Sequence, residues 1–365
     1  MVTREMIEQQ LNLVSDRMML LKNNGTKEKY PVSLIDMECW EWPQGVGIFG
    51  LYQYYCKTNN EEVLNFLIRW YDNRIEEGIY EKNVNTTSPM LTLTYLYEIT
   101  KKESYLAYIQ SFVDWIMEEK GLIRTKDECF QHMITGDPNE GEILIDTIFM
   151  TLLFLGRAGK ILNRRDCIDE ANYQIMNHIK YLFNKEEGLF YHGWNFTHNH
   201  NYGKVMWARG NSWYTVGIME YLEQTELDPA IARYFLSVFK MQAAALKNYQ
   251  DPKLGLWHTV INKEDTYVEI SACAAFLAGI MKGVRLNYLS KEEYFPVILE
   301  GVKNILPYIK EDGIVDSVSY GTPIGPDADF YQNIPCCPMT YGQALMIVML
   351  QELLEEEWEA LLMRL

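Results

Sequence analysis

No stretch of the 365 residues approaches the roughly 20 apolar positions that a membrane-spanning helix needs, so no membrane span is expected. Residues 1–24 instead alternate charged and apolar positions at helical spacing (Met6, Leu11, Leu13, Val14, Met18, Leu21). They lack the apolar core and small-residue cleavage site of a signal peptide. Positive charge is also scarce. Lys and Arg number 33 against 50 Asp and Glu, for a formal net charge of -17, and no Lys/Arg cluster occurs. Nucleic acid and anionic membrane surfaces both demand a basic footprint, so neither is expected as a partner; a small anion can still meet a local Arg or Lys. The 7 cysteines are odd in number and scattered, with no C-x-x-C pair. That pattern predicts reduced thiols and a cytoplasmic location. The 6 histidines show no H-x-x-x-H spacing. His198 and His200 are only a weak candidate pair for metal, and no metal is expected.

What the sequence does have is core-forming material, 48% hydrophobic and 13% aromatic residues with 25 Tyr and 9 Trp. A packed globule is the class this composition predicts. Helix-period stretches recur along the chain, over 4–23, 44–57, 60–77, 87–99, 102–119, 142–160, 164–184, 208–224, 228–248, 269–285, 290–309 and 339–360. Clear strand alternation is scarce, the short candidates 188–192 and 255–260 lying in loops. Helices starting near Gln44, Thr87, Glu142, Ala208, Glu269 and Thr340 are apolar on more than one face, whereas their partners are plainly amphipathic. Short connections make each pair antiparallel neighbours. Six buried helices can close an inner ring inside six outer ones, with the first helix pairing with the last. The expected fold is therefore all-α, an (α/α)6 toroid of six helical hairpins, and one domain over 1–365.

In that arrangement the long loops 79–86, 121–141, 186–207, 251–268 and 311–339 all fall on one side, before the inner helices. Loops of such length on a rigid scaffold usually carry function. They also hold much of the Trp, His, Tyr and Asn. The string Gly188-Leu189-Phe190-Tyr191-His192-Gly193-Trp194 is followed by Trp207-Ala208-Arg209-Gly210-Asn211-Ser212-Trp213. Aromatics, amides, a His and an Arg lining one cleft suit a charged sugar, whose ring face stacks on indoles while its carboxylate takes directed hydrogen bonds.

With Ile145-Asp146-Thr147-Ile148-Phe149-Met150, Trp42-Pro43-Gln44-Gly45 and Tyr267-Val268-Glu269-Ile270-Ser271-Ala272, these strings resemble glycoside hydrolase family 105. Those are the unsaturated rhamnogalacturonyl hydrolases, close to the unsaturated glucuronyl hydrolases of family 88. The resemblance covers nearly the whole chain and implies the same toroid. It implies release of a 4,5-unsaturated uronic acid from the non-reducing end of lyase-generated oligosaccharides, by hydration of the double bond, with no cofactor. The partner would be a small anionic disaccharide or oligosaccharide.

Asp146 would be the acid, protonating carbon 4 and then deprotonating water. Burial between Ile145 and Ile148 would favour its acid form, against the pull of a helix N-terminus; the bland alternative is a helix-start Asp. His192 and Arg209 would meet the uronate, Arg209 as a carboxylate clamp. Trp213, on the same helix face four residues on, would stack on the sugar, with Trp194, Trp207 and Gln44 as further contacts. Each has a structural alternative: a bonded loop histidine, a helix-to-loop brace, ordinary packing. One departure stands out. The loop 81–87 lacks the second Asp of many family members, leaving Asn83 or Asn85 in a binding role. Region 131–138 lacks the family's usual basic residue, with His132 as its candidate substitute. Two other readings compete, a sugar 2-epimerase on the same toroid working through paired histidines, and a non-catalytic sugar-binding homologue.

Overall fold

A computed structural model of the chain describes residues 2–23, 35–78 and 81–365. Among these described residues there are twelve helices of nine or more residues: α1 Arg4–Met19, α2 Trp42–Thr58, α3 Glu61–Glu77, α4 Met90–Thr100, α5 Glu103–Met117, α6 Leu153–Ile161, α7 Arg165–Leu182, α8 Ala208–Gln224, α9 Pro229–Tyr249, α10 Ile270–Arg285, α11 Lys291–Ile305 and α12 Thr340–Leu353. Caps begin several of them: Asn60 accepts from Glu62 and Val63 at α3, and Ser290 from Glu293 at α11.

The even-numbered helices form the ring. α2 packs on α4, α4 on α6, α6 on α8, α8 on α10, α10 on α12, and α12 back on α2. In α10 every residue from Ile270 to Met281 is buried, which is why these helices read as apolar all round. The odd-numbered helices lie outside, each against its hairpin partner, and α1 packs on α12, so first and last helices do pair. Tight closure needs small residues at the contacts. A Cβ on Gly50 would stand 2.6 Å from the Ala344 Cα, where α2 meets α12. No described helix is long and apolar enough to cross a membrane.

Four expected elements differ. The helix expected over 142–160 begins late: Glu142–Leu144 is a strand, and a π turn, Ile148–Leu152, leads into α6. Cross-strand pairing with Gly193–Asn195 takes those backbone bonds before a helix can. The last helix stops at Leu353 rather than near 360. Near its end Glu352 is buried and accepts from Arg285 at 2.7 and 2.8 Å. The candidate 188–192 holds one short strand, Leu189–Phe190, paired with Phe183–Asn184. In 255–260 there are only isolated bridges, His258 to Val268 and Val260 to Trp207.

Candidate active site

Loops before the inner helices converge on a cavity of about 400 Å³ lined by Trp42, Asn85, His132, Asp146, His192 and Trp207, with the segment 320–324 as one wall. The strand Glu142–Leu144 organises its floor. Leu144 lies opposite Gly193 and Ile143 opposite Trp194. Alternation sends Glu142 and Leu144 to the cavity and Ile143 with Trp194 to the other face. A Cβ on Gly193 would stand 2.9 Å from the Ile143 carbonyl oxygen and press on the Leu144 side chain, so this approach favours glycine. The ladder continues as Ile145 N–H donates to the His192 carbonyl at 3.0 Å, which ties the two neighbouring segments together.

Asp146 therefore precedes the helix rather than sitting inside it. Its carbonyl accepts from the Phe149 and Met150 amides at 3.1 and 3.0 Å, starting the π turn, a feature that often marks functional sites. Trp213 Nε1 donates to Asp146 Oδ1 at 3.1 Å. On the other oxygen, His192 Nε2 stands 3.4 Å from Oδ2. Burial alone would raise the carboxyl pKa, as expected from its apolar flanks. The facing His192 ring, with the charge of Arg209, outweighs burial and holds Asp146 below the ordinary carboxylate value. The expected direction is thus reversed, and the resting group is a carboxylate.

The two histidines differ. His132 Nδ1 lies 2.9 Å from Thr147 Oγ1, and burial pushes its pKa down to about 4 against the attraction of Asp146. His192 Nδ1 lies 2.6 Å from the Tyr331 hydroxyl, and its ring packs on Trp207 with centroids 4.3 Å apart.

Several expected contacts sit elsewhere. Arg209 is fully buried and outside the cavity lining. It donates to the Ser319 carbonyl at 2.9 Å, the Ser319 hydroxyl, the Tyr320 carbonyl at 3.1 Å and Thr322 Oγ1 at 2.8 Å, with Glu269 at 3.5 Å. The guanidinium is spent as a brace from helix to loop, because the wall segment returns directly over α8. Trp213 has no exposed face for stacking; it meets Trp42 and Phe149 at 6.4 and 5.1 Å and orients Asp146 instead. Trp194 packs against Tyr181 at 5.9 Å on the far side of the ladder. Gln44 is buried away from the cavity, donating to the Asp36 carbonyl at 2.6 Å. Asn83 caps the turn Val84–Thr87, accepting from Thr86 N–H at 2.9 Å and donating to Thr135 at 3.0 Å. Asn85, not Asn83, faces the cavity.

Reading loops alone misses Trp42, Glu142, Tyr331 and the wall 320–324. Trp42 opens the Trp-Pro-Gln-Gly string at the start of an inner helix, the same placement that singles out Trp207, and that was its signal. The wall lies within the longest expected loop, 311–339, where nothing in the sequence marks which residues turn inward.

The profile of Glycosyl Hydrolase Family 88 matches residues 12–356. The unsaturated rhamnogalacturonyl hydrolase of Bacillus subtilis is 29% identical over 324 residues, 87% of this chain and 90% of that protein. A crystal structure from Salmonella enterica serovar Paratyphi A, described as a possible member of the GH105 family, superposes with TM-score 0.92 at 36% identity, covering 97% of this chain and 94% of that one. Another so described, from Klebsiella pneumoniae, gives 0.90 at 38% identity over the same shares. The chain is a glycoside hydrolase and belongs to glycosyl hydrolase family 88, with the GH105 type that its motifs resemble among its relatives.

Proposed function

We propose that the enzyme releases a 4,5-unsaturated uronic acid from the non-reducing end of a small, lyase-generated oligosaccharide, with Asp146 as its acid and base. The observation that carries this reading is one carboxylate, held by Trp213 and facing His192, at the floor of a cavity large enough for a disaccharide. Asp146 rests ionised, and a uronate bound nearby adds a second negative charge, which raises its pKa and loads it with a proton. Asp146 then gives that proton to carbon 4, and water adds its oxygen at carbon 5. The carboxylate takes the water's spare proton. The resulting hemiketal opens and expels the neighbouring sugar. Nothing in this route calls for a metal or organic cofactor.

Among the described residues, the lining offers the substrate carboxylate no Lys or Arg. Gly321 and Thr322 in the wall have amides without a partner among the described residues. These take the carboxylate in this reading, and Arg209 supports them from behind. His132, Asn85, Trp42 and Trp207 surround the sugar rings. One buried core from Ile7 to Leu362 supports a single catalytic domain, and the odd, scattered count of 7 cysteines supports a cytoplasmic enzyme.

The test is direct. Incubation with 4,5-unsaturated disaccharides should abolish the ultraviolet absorbance of the conjugated acid. Asp146→Asn should lose at least roughly 100-fold in kcat. Should no unsaturated uronide lose absorbance, the reading fails; a fully active Asp146→Asn refutes the assignment of the acid. The presence of both His132 and His192 in the cavity is what a 2-epimerase needs. Membership of a hydrolase family and the carboxylate beside His192 favour hydrolysis. A non-catalytic homologue, suggested by Asn85 in place of an Asp, would bind these disaccharides without consuming them.

A further inference from the structure

The segment between the wall and α12 carries Tyr331, which is 1% exposed and packed with Val205, Trp207 and Val260. Its hydroxyl makes two contacts. The Gly325 amide donates to it at 3.0 Å, and His192 Nδ1 lies 2.6 Å away. An amide can only donate, so the phenol's single proton is not needed there. A phenol has one hydrogen to give, and the acceptor within its reach is Nδ1. Burial also pushes the phenol well above its usual pKa, so that proton stays on the oxygen. A neutral imidazole that accepts at Nδ1 carries its own hydrogen on Nε2. Nε2 is the atom that stands 3.4 Å from Asp146 Oδ2, and both are buried atoms without a hydrogen bond in the resting protein.

We propose that Tyr331 is a positioning residue that locks neutral His192 in its Nε2–H tautomer, so that the ring presents a donor, never a lone pair, to Asp146 and the substrate. The chain of contacts runs from Gly325 N–H through Tyr331 and His192 to Asp146, whose other oxygen is held by Trp213. Its consequence is a division of labour. Neutral His192 can steady the carboxylate or a substrate oxygen, but it cannot take a proton from either. Both proton transfers of the hydration are left to Asp146. The same lock denies His192 the role of base that an epimerase would assign to it. The functional half of this inference rests on the proposed hydration, whereas the tautomer does not.

The experiment is nitrogen-15 NMR of histidine-labelled full-length protein without substrate, with the His192 signal identified by its loss in His192→Gln. The ring should show the neutral Nε2–H pattern. Tyr331→Phe keeps the ring packing but removes the donor, and should move His192 toward Nδ1–H while kcat on an unsaturated disaccharide falls roughly tenfold with KM within about threefold. A resting ring that is Nδ1–H or doubly protonated overturns the proposal, even if Tyr331→Phe does not fold. So does a Tyr331→Phe protein that keeps the Nε2–H pattern, or one that changes tautomer with kcat unaltered. If the tautomer shifts as expected but no unsaturated disaccharide is consumed by the parent enzyme, the lock stands and the proposed reaction is what falls.

Discussion

At the scale of single residues, the site depends on who surrounds Asp146. Its depressed pKa follows from the facing His192 and the Arg209 cation, which outweigh its burial. Trp213 Nε1 favours the charged form through its hydrogen bond. Trp213→Phe should therefore shift the Asp146 limb of the pH–rate profile to higher pH, as read from kcat/KM across the acidic range; an unmoved limb would remove Trp213 from that role. His132 makes a prediction about stability. Its pKa falls from 6.5 to about 4 on burial, so the unfolded chain protonates first as pH drops. Its contribution is complete above about pH 6.5 and declines through pH 4, by roughly 3 kcal/mol in all. Urea unfolding at pH 7 and near pH 4 should show a smaller acid loss for His132→Gln than for the parent. Part of the loss should remain, because His178 is buried and pushed down to about 4 in the same way.

At the scale of elements, the strand Glu142–Leu144 and the wall 320–324 shape the cavity. Arg209 joins α8 to that wall, and Glu269, the N-cap of α10, accepts from Ala272 N–H at 2.7 Å and Ser319 N–H at 3.0 Å. Arg209→Met leaves Glu269 buried without its cation, a change that costs about 3 kcal/mol. Denaturant unfolding should record that loss. KM for an unsaturated disaccharide should rise because the wall loses its tether. Equal stability in the variant would mean that the brace is dispensable. The resemblance pointed to Arg209 as the substrate clamp, yet the brace was legible as an alternative. Choosing between them needed the path of a loop more than 100 residues away in sequence, since Arg209 meets Tyr320 and Thr322 at separations of 111 and 113.

At the scale of the whole molecule, ring closure is a problem of helix spacing. Six inner helices with buried faces must approach closely enough to exclude solvent, and small residues make this possible at α2 and α12. Gly50→Val would drive a side chain into the Ala344 backbone, where nothing flexible can give way. The variant should lose about 2 kcal/mol or more, seen as a clear fall in Tm by calorimetry; an unchanged Tm would show that the ring can loosen there without penalty.

The sequence by itself determined the alternation of all-round apolar and amphipathic helices, the side on which the long loops gather, and the motifs that mark Asp146, His192 and Trp207. The first two are properties of local composition and periodicity, and the third is what the family resemblance implies; all survive any rearrangement of distant contacts. Only the tertiary structure decided that Glu142–Leu144 pairs as a strand, that Trp213 serves the carboxylate, and that Arg209 braces a wall. It also decided that Asn85 faces the cavity while Asn83 caps a turn. The physical reason is the same in each case: a polar side chain takes the partner that folding brings within about 3 Å, and for Asp146 those neighbours, His192 and Trp213, come from two other segments of the chain. The acid expected from local burial is a resting carboxylate because those distant neighbours outweigh its apolar flanks.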